Sequence, residues 1–279
     1  MLLYLWMMVQ IICESLPISS SGHVVLLQKI MDRCAPGVSS FAKASADLQQ
    51  GFQDLWAFDY VLQGVSAVIF LIYFFSSWWQ LVVGKPIRIW SLFDGQVLKN
   101  NILPVLIFGF VADSMTFLLW YVNLAERLNF PLAFGFMITA TVLWNMQFMR
   151  SKKDVVIWSW KNGAIVGLMQ GFALLPGISR FGITMASLQW LGYPRHVAFP
   201  ISFLIQWPLI VAGSLQGFYS LHDTSILQVM LSAPFLMVVV LSSCIAYGIL
   251  YGIEKLINKN LLWKFSYYMI IPIIIALLF

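Results

Sequence analysis

Side chains that could perform acid–base or nucleophilic chemistry are concentrated near the N-terminus. Gln10 and Glu14 are four residues apart, so on a helix they point in the same direction. Glu14 lies in an apolar stretch, where a carboxylate is costly and marks a functional site unless it faces water at the interface. His23 follows Ser20 by three residues, close enough on a helical turn to share a phosphate oxygen or a hydroxyl, although a single histidine can also be a packing residue. The stretch predicts a site that acts on an anion.

Three consecutive serines interrupt the same apolar stretch. The hydroxyls of Ser19, Ser20 and Ser21 could cap the start of a new helix, and the first N–H groups of that helix could then bind an anion. A serine-rich break can equally be a helix cap without any ligand. The sequence leaves both interpretations open.

A second polar interruption begins at Pro176. Proline ends one helix, Gly177 permits a turn that is closed to most residues, and Ser179 can cap the next helix. Arg180 then projects from a helix N-terminus, where its planar guanidinium is suited to bind phosphate with two hydrogen bonds. The alternative is a buried ion pair between Arg180 and Glu14. Taken together, the charged and hydroxyl groups of the two interruptions converge on an anion, for which a phosphate group is the simplest candidate.

The composition of the 279-residue chain is that of a membrane protein. Apolar residues make up 61% of the chain and charged residues 10%, whereas soluble domains have about 45–50% and about 25%. The 16 basic residues exceed the 11 acidic ones, but they form no continuous basic face, which argues against nucleic-acid binding. The three cysteines lie far apart and match no metal-ligand spacing. We expect neither a disulfide nor a zinc site.

Six stretches are apolar over the length of about 20 residues that a membrane-spanning helix needs. They are residues 56–77, 101–121, 130–149, 197–217, 225–253 and 265–279. Residues 2–31 and 156–192 are also apolar but contain the two polar interruptions, and we predict that they form re-entrant helical hairpins, because polar backbone at membrane depth must be buried in protein or face a cavity. The predicted fold class is an all-α polytopic membrane protein, with six transmembrane helices plus two re-entrant hairpins in one domain over residues 1–279. Residues 32–55 are predicted to form a polar surface loop.

The two interrupted stretches resemble each other at a constant offset of 160 residues. The identical pairs are Gln10 and Gln170, Ile18 and Ile178, Ser19 and Ser179, and Gly22 and Gly182. Three predicted spans separate the two hairpins, so the second must enter from the opposite side of the membrane. This pattern predicts an inverted-topology repeat with halves 1–128 and 155–279, whose broken helices meet in a polar site near the midplane.

The distribution of lysine and arginine predicts the orientation in the membrane. Eleven of these residues fall on one side of the six predicted spans and four on the other. By the positive-inside rule, the side with eleven is cytoplasmic. The first hairpin is therefore expected to enter from the exterior.

At its two interruptions the sequence resembles the undecaprenyl-pyrophosphate phosphatase family of the BacA type. That family carries E/Q-x-x-x-E followed by L-P-x-S-S-x-G-H, and residues 10–23 here read QIICESLPISSSGH. Its second motif is P-G-x-S-R-S-x-x-T, and residues 176–184 read PGISRFGIT. The likeness covers most of the chain and extends to Phe58, Gln63, the run 202–204 and Pro208.

The resemblance implies a phosphatase of the bacterial inner membrane with six spanning helices, two re-entrant hairpins and a pocket open to the exterior. Its expected substrate is the C55 polyprenyl carrier lipid undecaprenyl pyrophosphate, from which it would remove the terminal phosphate and so recycle the carrier for cell-wall synthesis. The expected cofactor is a divalent cation, Mg²⁺ or Ca²⁺. The expected partners are this lipid and other membrane lipids, and the sequence leaves a homodimer open.

The resemblance also assigns residues to these functions. Gln10 and Glu14 would hold the cation or its water, and Glu14, Ser20, His23 and Arg180 would be catalytic. The residues expected at the pyrophosphate are Ser19, Ser21, Gly177, Ser179, Arg180 and Thr184. Either Ser20 attacks phosphorus with His23 as its base, or His23 attacks phosphorus itself, and the sequence does not choose between them.

Departures from the family pattern suggest alternatives to an active phosphatase. Gln10 stands where many relatives have glutamate, and Phe181 replaces a serine, so metal and phosphate affinity are expected to change and an impaired homologue is one alternative. A polyprenyl-phosphate transporter is another, because broken midplane helices are common in transporters. A channel is the weakest alternative. Asp59 and Glu254 are expected to be solvated residues at helix ends.

Overall fold

The computed structural model describes residues 2–34, 48–83, 102–122, 130–149, 159–220 and 230–279 of the chain. Within these ranges the secondary structure is entirely helical, which confirms the predicted all-α class. The helices are α1 (Leu2–Glu14), α2 (Ser20–Cys34), α3 (Leu48–Val83), α4 (Ile102–Tyr121), α5 (Leu132–Asn145), α6 (Trp160–Gly171), α7 (Arg180–Trp190), α8 (Arg195–Ser220), α9 (Ala233–Asn258), α10 (Phe265–Tyr268) and α11 (Ile270–Leu278). Short 3-10 turns at Met146–Phe148, Phe172–Leu174 and Leu262–Lys264 adjoin α5, α6 and α10.

Three of these helices are long and apolar enough to cross a membrane: Ala57–Trp79 within α3, together with α8 and α9. Apolar helices also occupy the other predicted spans, but their described lengths are shorter. The predicted boundaries at 101, 128, 155, 156 and 225 lie outside the described residues. Helix α9 begins at Ala233, and Pro234 lies in its first turn. Proline is favoured there because the N–H group that it lacks would have no intrahelical acceptor.

The outer surface of the helices carries large apolar side chains that water would not solvate well. Ile72 of α3 is 63% exposed, Phe110 of α4 is 75% exposed and Val240 of α9 is 62% exposed. Such side chains distributed over several helices fit hydrocarbon as the surrounding medium. Together with the apolar helices, this surface identifies a membrane protein.

Helices α3 and α8 form the central pair of the fold. Their interface is tied by two indole hydrogen bonds: Trp78 Nε1 donates to the Pro200 carbonyl over 3.1 Å, and Trp207 Nε1 donates to the Ala67 carbonyl over 3.0 Å. The buried rings of Phe70 and Phe203 pack edge to face between the two helices, with centroids 4.6 Å apart. Around this pair, α1 packs against α3 and α9, and α6 packs against α4, so each interrupted stretch is held by long helices.

Candidate active site

The first interruption separates α1 from α2 and ends in a serine cap. Ser19 is buried, and its Oγ accepts a hydrogen bond of 3.1 Å from the N–H of Gly22. The Ser21 hydroxyl lies 3.3 Å from that of Ser19 and is exposed. A Ser hydroxyl in this position satisfies one of the free N–H groups at the start of α2, leaving others unpaired by intrahelical bonds.

The second interruption has the same cap at the predicted offset of 160 residues. Ser179 is buried, and its Oγ accepts a hydrogen bond of 3.0 Å from the N–H of Gly182, so α7 begins as α2 does. The equivalence of the two caps follows from the Ser-x-x-Gly spacing that both interruptions share.

The two interruptions pack directly against each other. A Cβ atom placed on Gly22 would lie 2.8 Å from Gly177 Cα, and one placed on Gly182 would lie 3.4 Å from the Pro17 carbonyl oxygen. Only glycine at position 22 allows the backbones of the two interruptions to approach this closely. The start of α2 and the start of α7 therefore form one contiguous polar region.

Helix α5 braces the second interruption through one threonine. Thr139 Oγ1 donates to the Gly177 carbonyl over 2.8 Å and accepts from the Ser179 N–H over 2.9 Å. Gly177 has φ +87°, a conformation that side-chain-bearing residues rarely adopt. The threonine and the glycine together set the direction in which α7 starts, and with it the position of Arg180.

We expect Gly177→Ala to destabilise the protein more than Gly192→Ala. Both glycines have positive φ, at +87° and +93°, so both substitutions carry a backbone cost of about 1–2 kcal/mol. A Cβ on Gly177 would in addition lie 2.7 Å from the Leu132 carbonyl oxygen, whereas nothing lies within 4 Å of a Cβ on Gly192. Thermal unfolding of the two variants in the same detergent measures the difference, and equal midpoints would contradict the backbone contact.

Glu14 is the acceptor around which the first interruption is organised. Its Oε1 accepts a hydrogen bond of 2.8 Å from Ser20 Oγ and one of 3.3 Å from Gln10 Nε2. The carboxylate at the end of α1 thus binds the hydroxyl at the start of α2. A carboxylate that accepts a hydrogen bond from a serine hydroxyl can also receive its proton. The structure therefore shows a pairing of Ser20 with a carboxylate that the sequence did not indicate.

His23 contacts other groups than Ser20 among the described residues. Its Nδ1 lies 2.6 Å from the Ser19 carbonyl oxygen and its Nε2 lies 3.1 Å from the Tyr268 hydroxyl. Because a carbonyl can only accept, Nδ1 carries the proton of the neutral ring and Nε2 accepts from Tyr268. The ring also stacks on Tyr268 at 5.8 Å and meets the edge of Phe136 at 5.2 Å.

Arg180 is the first residue of α7 and is half-buried. Among the described residues its side chain makes neither a hydrogen bond nor an ion pair, so the alternative of a direct pair with Glu14 is not what this structure contains. The guanidinium interacts electrostatically with Asp59 and Tyr60. A free guanidinium at a helix N-terminus, beside a capped turn, is arranged to bind an anion.

Asp59 is a site residue that the sequence interpretation missed. It was expected at a solvated helix end, but α3 begins at Leu48, inside the predicted loop 32–55, so Asp59 lies in the fourth turn of α3. Its Oδ1 is buried without a hydrogen-bond partner among the described residues, and it interacts electrostatically with Glu14 and Arg180. Phe58 and Gln63, which flank it and carry part of the family likeness, were the available signal.

Glu254, which was also expected at a solvated helix end, is half-buried and accepts a hydrogen bond from the Tyr73 hydroxyl. Glu254 lies in the last turns of α9, whereas Tyr73 lies in α3. Although Glu254 lies near a helix end, it therefore takes part in the contact between these two helices.

Thr184 lies farther along α7 and is fully buried. Its Oγ1 donates a hydrogen bond of 3.3 Å to Gln170 Oε1. Gln170 Nε2 in turn donates a hydrogen bond of 3.3 Å to Thr116 Oγ1. This chain of polar groups links α7 to α6 and α4. The contact of Thr184 with phosphate stays a prediction.

Phe181 replaces the motif serine and packs away from the interruption. Its ring is 2% exposed and lies 4.7 Å from the ring of Phe203 and 5.8 Å from that of Phe199. The phenyl group therefore belongs to the aromatic interface with α8. This packing explains how a large side chain is accommodated directly after Arg180.

The donor atoms beside Glu14 fit a hard divalent cation. Gln10 is fully buried, and its Oε1 has no hydrogen-bond partner among the described residues, while its Nε2 is bound to Glu14. Mg²⁺ and Ca²⁺ prefer carboxylate and amide oxygens. The described part of the chain contains no group of three or more His, Cys, Asp and Glu side chains that could hold a metal. A cation here would therefore need the amide oxygen as well as carboxylates.

Comparisons with known proteins identify the family of the chain. Residues 4–275 match the family model described as bacitracin resistance protein BacA. A protein named undecaprenyl-diphosphatase from Thermosipho africanus is 30% identical, with 96% of each chain covered. One of the same name from Kineococcus radiotolerans is 27% identical, with 96% of this chain and 89% of the relative covered. Undecaprenyl-diphosphatase 1 from Bacillus cereus is 25% identical, with 95% and 92% covered. The chain belongs to the BacA family.

Proposed function

We propose that the protein is an undecaprenyl-diphosphatase, which hydrolyses undecaprenyl pyrophosphate to undecaprenyl phosphate and inorganic phosphate. Relatives that carry this name align over nearly the whole chain. The observation that carries the proposal is the Ser20–Glu14 hydrogen bond of 2.8 Å in the polar region that also contains Arg180, whose guanidinium is unpaired among the described residues. A serine activated by a carboxylate beside an anion-binding arginine suits phosphoryl transfer. Anion binding alone would not require the serine–carboxylate pair.

We propose that α1–α2 and α6–α7 are re-entrant hairpins of an inverted repeat, and that the other apolar helices provide six spans. The matching serine caps and the direct contact between the two interruptions support this topology. The unequal distribution of basic residues supports entry of the first hairpin from the exterior. The substrate would reach the site from the outer leaflet of the bacterial inner membrane.

In the reaction, Arg180 and the free N–H groups at the start of α7 would bind the pyrophosphate and stabilise the charge of the transition state. Ser20 Oγ would form a bond to the terminal phosphorus while the bond from that phosphorus to the bridging oxygen breaks. The serine proton would pass to Glu14, and undecaprenyl phosphate would leave. Water would then hydrolyse the phosphoserine, releasing inorganic phosphate and restoring Ser20.

The cation site would be formed by Glu14 and Gln10. A divalent cation bound there would neutralise phosphate charge and orient the phosphate oxygens. The remaining catalytic contributions come from the chain itself, since Gln10 orients the Glu14 carboxylate through its amide N–H. When the cation is removed, we expect the Ser20–Glu14 hydrogen bond to remain, but much of the negative charge of the phosphate would no longer be neutralised.

The proposal is tested by phosphate release from undecaprenyl or farnesyl pyrophosphate in detergent. We expect release with Mg²⁺ or Ca²⁺, loss of at least about 10²-fold in rate with a chelator, and recovery when the cation is returned in excess. An inactive Ser20→Ala preparation controls for contaminating phosphatases. If the purified protein binds the lipid but releases no phosphate under any of these conditions, the phosphatase proposal fails and lipid transport becomes the better interpretation.

A further inference from the structure

Two buried oxygen atoms, one on a side chain hydrogen-bonded to Glu14 and one on a carboxyl group that interacts with Glu14 electrostatically, lack a hydrogen-bond partner among the described residues. One is Gln10 Oε1, on a side chain that is 0% exposed, and the other is Asp59 Oδ1. A buried polar atom without a partner is costly and points to a ligand that satisfies it. Both atoms are acceptors, so the missing ligand is a cation or a hydrogen-bond donor.

The charges of the site favour the cation. Glu14 and Asp59 interact with each other as like charges, and one guanidinium, that of Arg180, interacts with Asp59. Among the described residues, two carboxyl groups face one guanidinium. With both carboxyl groups ionised, these groups carry a net negative charge, which would repel a pyrophosphate that carries further negative charge. A divalent cation would reverse the sign of the site. It would also relieve the repulsion between the two carboxylates.

We propose that Asp59 is a ligand of the divalent cation, together with Glu14 and Gln10. The inference rests on the proposed function and names a cation ligand that lies outside both sequence motifs. It makes the donor set two carboxylates and one amide oxygen, which are the ligand types that Mg²⁺ and Ca²⁺ prefer. Asp59 belongs to α3, so the cation would also tie the first hairpin to the central helix pair.

The alternative is that Asp59 serves Arg180 as a structural counter-ion. These two side chains interact electrostatically, but they form no ion pair among the contacts of the described residues. A counter-ion role would leave cation affinity unchanged when Asp59 is replaced. A ligand role would not.

The test measures Mn²⁺ binding to the purified full-length protein without lipid. The electron paramagnetic resonance signal of the free Mn²⁺ that remains in solution reports the bound fraction. We expect Asp59→Asn to raise the Kd for Mn²⁺ by about tenfold or more, since the charge count of the ligands governs affinity at such sites. Asp113→Asn is the matched control. Asp113 in α4 also has a buried Oδ1 without a partner, but no charged side chain of the described residues interacts electrostatically with its carboxyl group. We expect its Kd to stay within about twofold of wild type.

A second measurement guards against a folding defect. Because Asp59→Asn removes like-charge repulsion, the metal-free variant should unfold at the same or a higher temperature than wild type, and Mn²⁺ should raise its midpoint less. Asp59→Glu, which keeps the charge but displaces the carboxylate by one methylene, should also bind Mn²⁺ more weakly. Wild-type affinity in either folded variant, or no saturable Mn²⁺ binding by the wild type, overturns the proposal. Wild-type protein that binds Mn²⁺ through Asp59 but releases no phosphate would instead overturn the proposed function alone.

Discussion

Replacement of Arg180 with alanine should reduce kcat/KM for undecaprenyl pyrophosphate by about 10³-fold or more. The guanidinium is unpaired among the described residues, half-buried and placed at the start of α7. It is therefore available to stabilise the charge that develops on the phosphate oxygens during transfer. Phosphate release at several substrate concentrations measures the change in kcat and KM separately. Arg180→Lys keeps the charge but not the planar fork, so it should retain only part of the activity.

Arg195→Ala is the matched control for this prediction. Arg195 is also a half-buried arginine at the start of a helix, but its Nη2 donates to the Met149 carbonyl over 2.7 Å. Its replacement should lower thermal stability while the folded fraction keeps nearly wild-type kcat/KM. Similar losses of kcat/KM in the two variants would show that any arginine to alanine change harms the fold, and would remove the argument for Arg180.

The meeting of the two interruptions could be predicted because the sequence carries both of its causes. Each interruption divides an apolar stretch into two halves that are both too short to cross the membrane. Each interruption also contains polar groups that cannot face lipid. The Ser-x-x-Gly spacing recurs at an offset of 160 residues, and the structure shows the same cap at Ser19 and Ser179. Local rules of helix capping therefore predicted a cap among the three serines for α2 and at Ser179 for α7, and the structure has the caps at Ser19 and Ser179.

The contacts that complete the site could not be predicted, because they depend on which helices become neighbours. Thr139 braces the second interruption and Tyr268 binds His23, yet neither residue lies in a motif or near one in sequence. Asp59 was misplaced for a different reason. The polar residues that precede it resemble a loop in hydropathy, but they continue the helix from Leu48. Hydropathy marks where a helix enters the membrane, not where the helix begins.

Conversion of Ser20 to alanine should also lower phosphate release by about 10³-fold, because it removes the group that we place at phosphorus. The Glu14 carboxylate already accepts the Ser20 proton in a hydrogen bond of 2.8 Å, whereas His23 Nε2 is occupied by the Tyr268 hydroxyl at 3.1 Å. His23→Ala should therefore cost less than Ser20→Ala. Ser243→Ala is the matched control, since the Ser243 hydroxyl donates only within α9, to the Val239 carbonyl at 2.7 Å, and its loss should leave the rate unchanged.

Rates alone do not distinguish attack by serine from attack by histidine, but the covalent intermediate does. Substrate labelled with ³²P in its terminal phosphate, mixed with wild-type protein and quenched within one turnover, should leave label on the protein that survives acid, because phosphoserine is an acid-stable ester. A phosphohistidine would lose its label in acid and keep it in base. Label that is acid-labile and absent from His23→Ala would assign attack to His23 Nε2, and Glu14 would then serve to position Ser20 rather than to accept its proton.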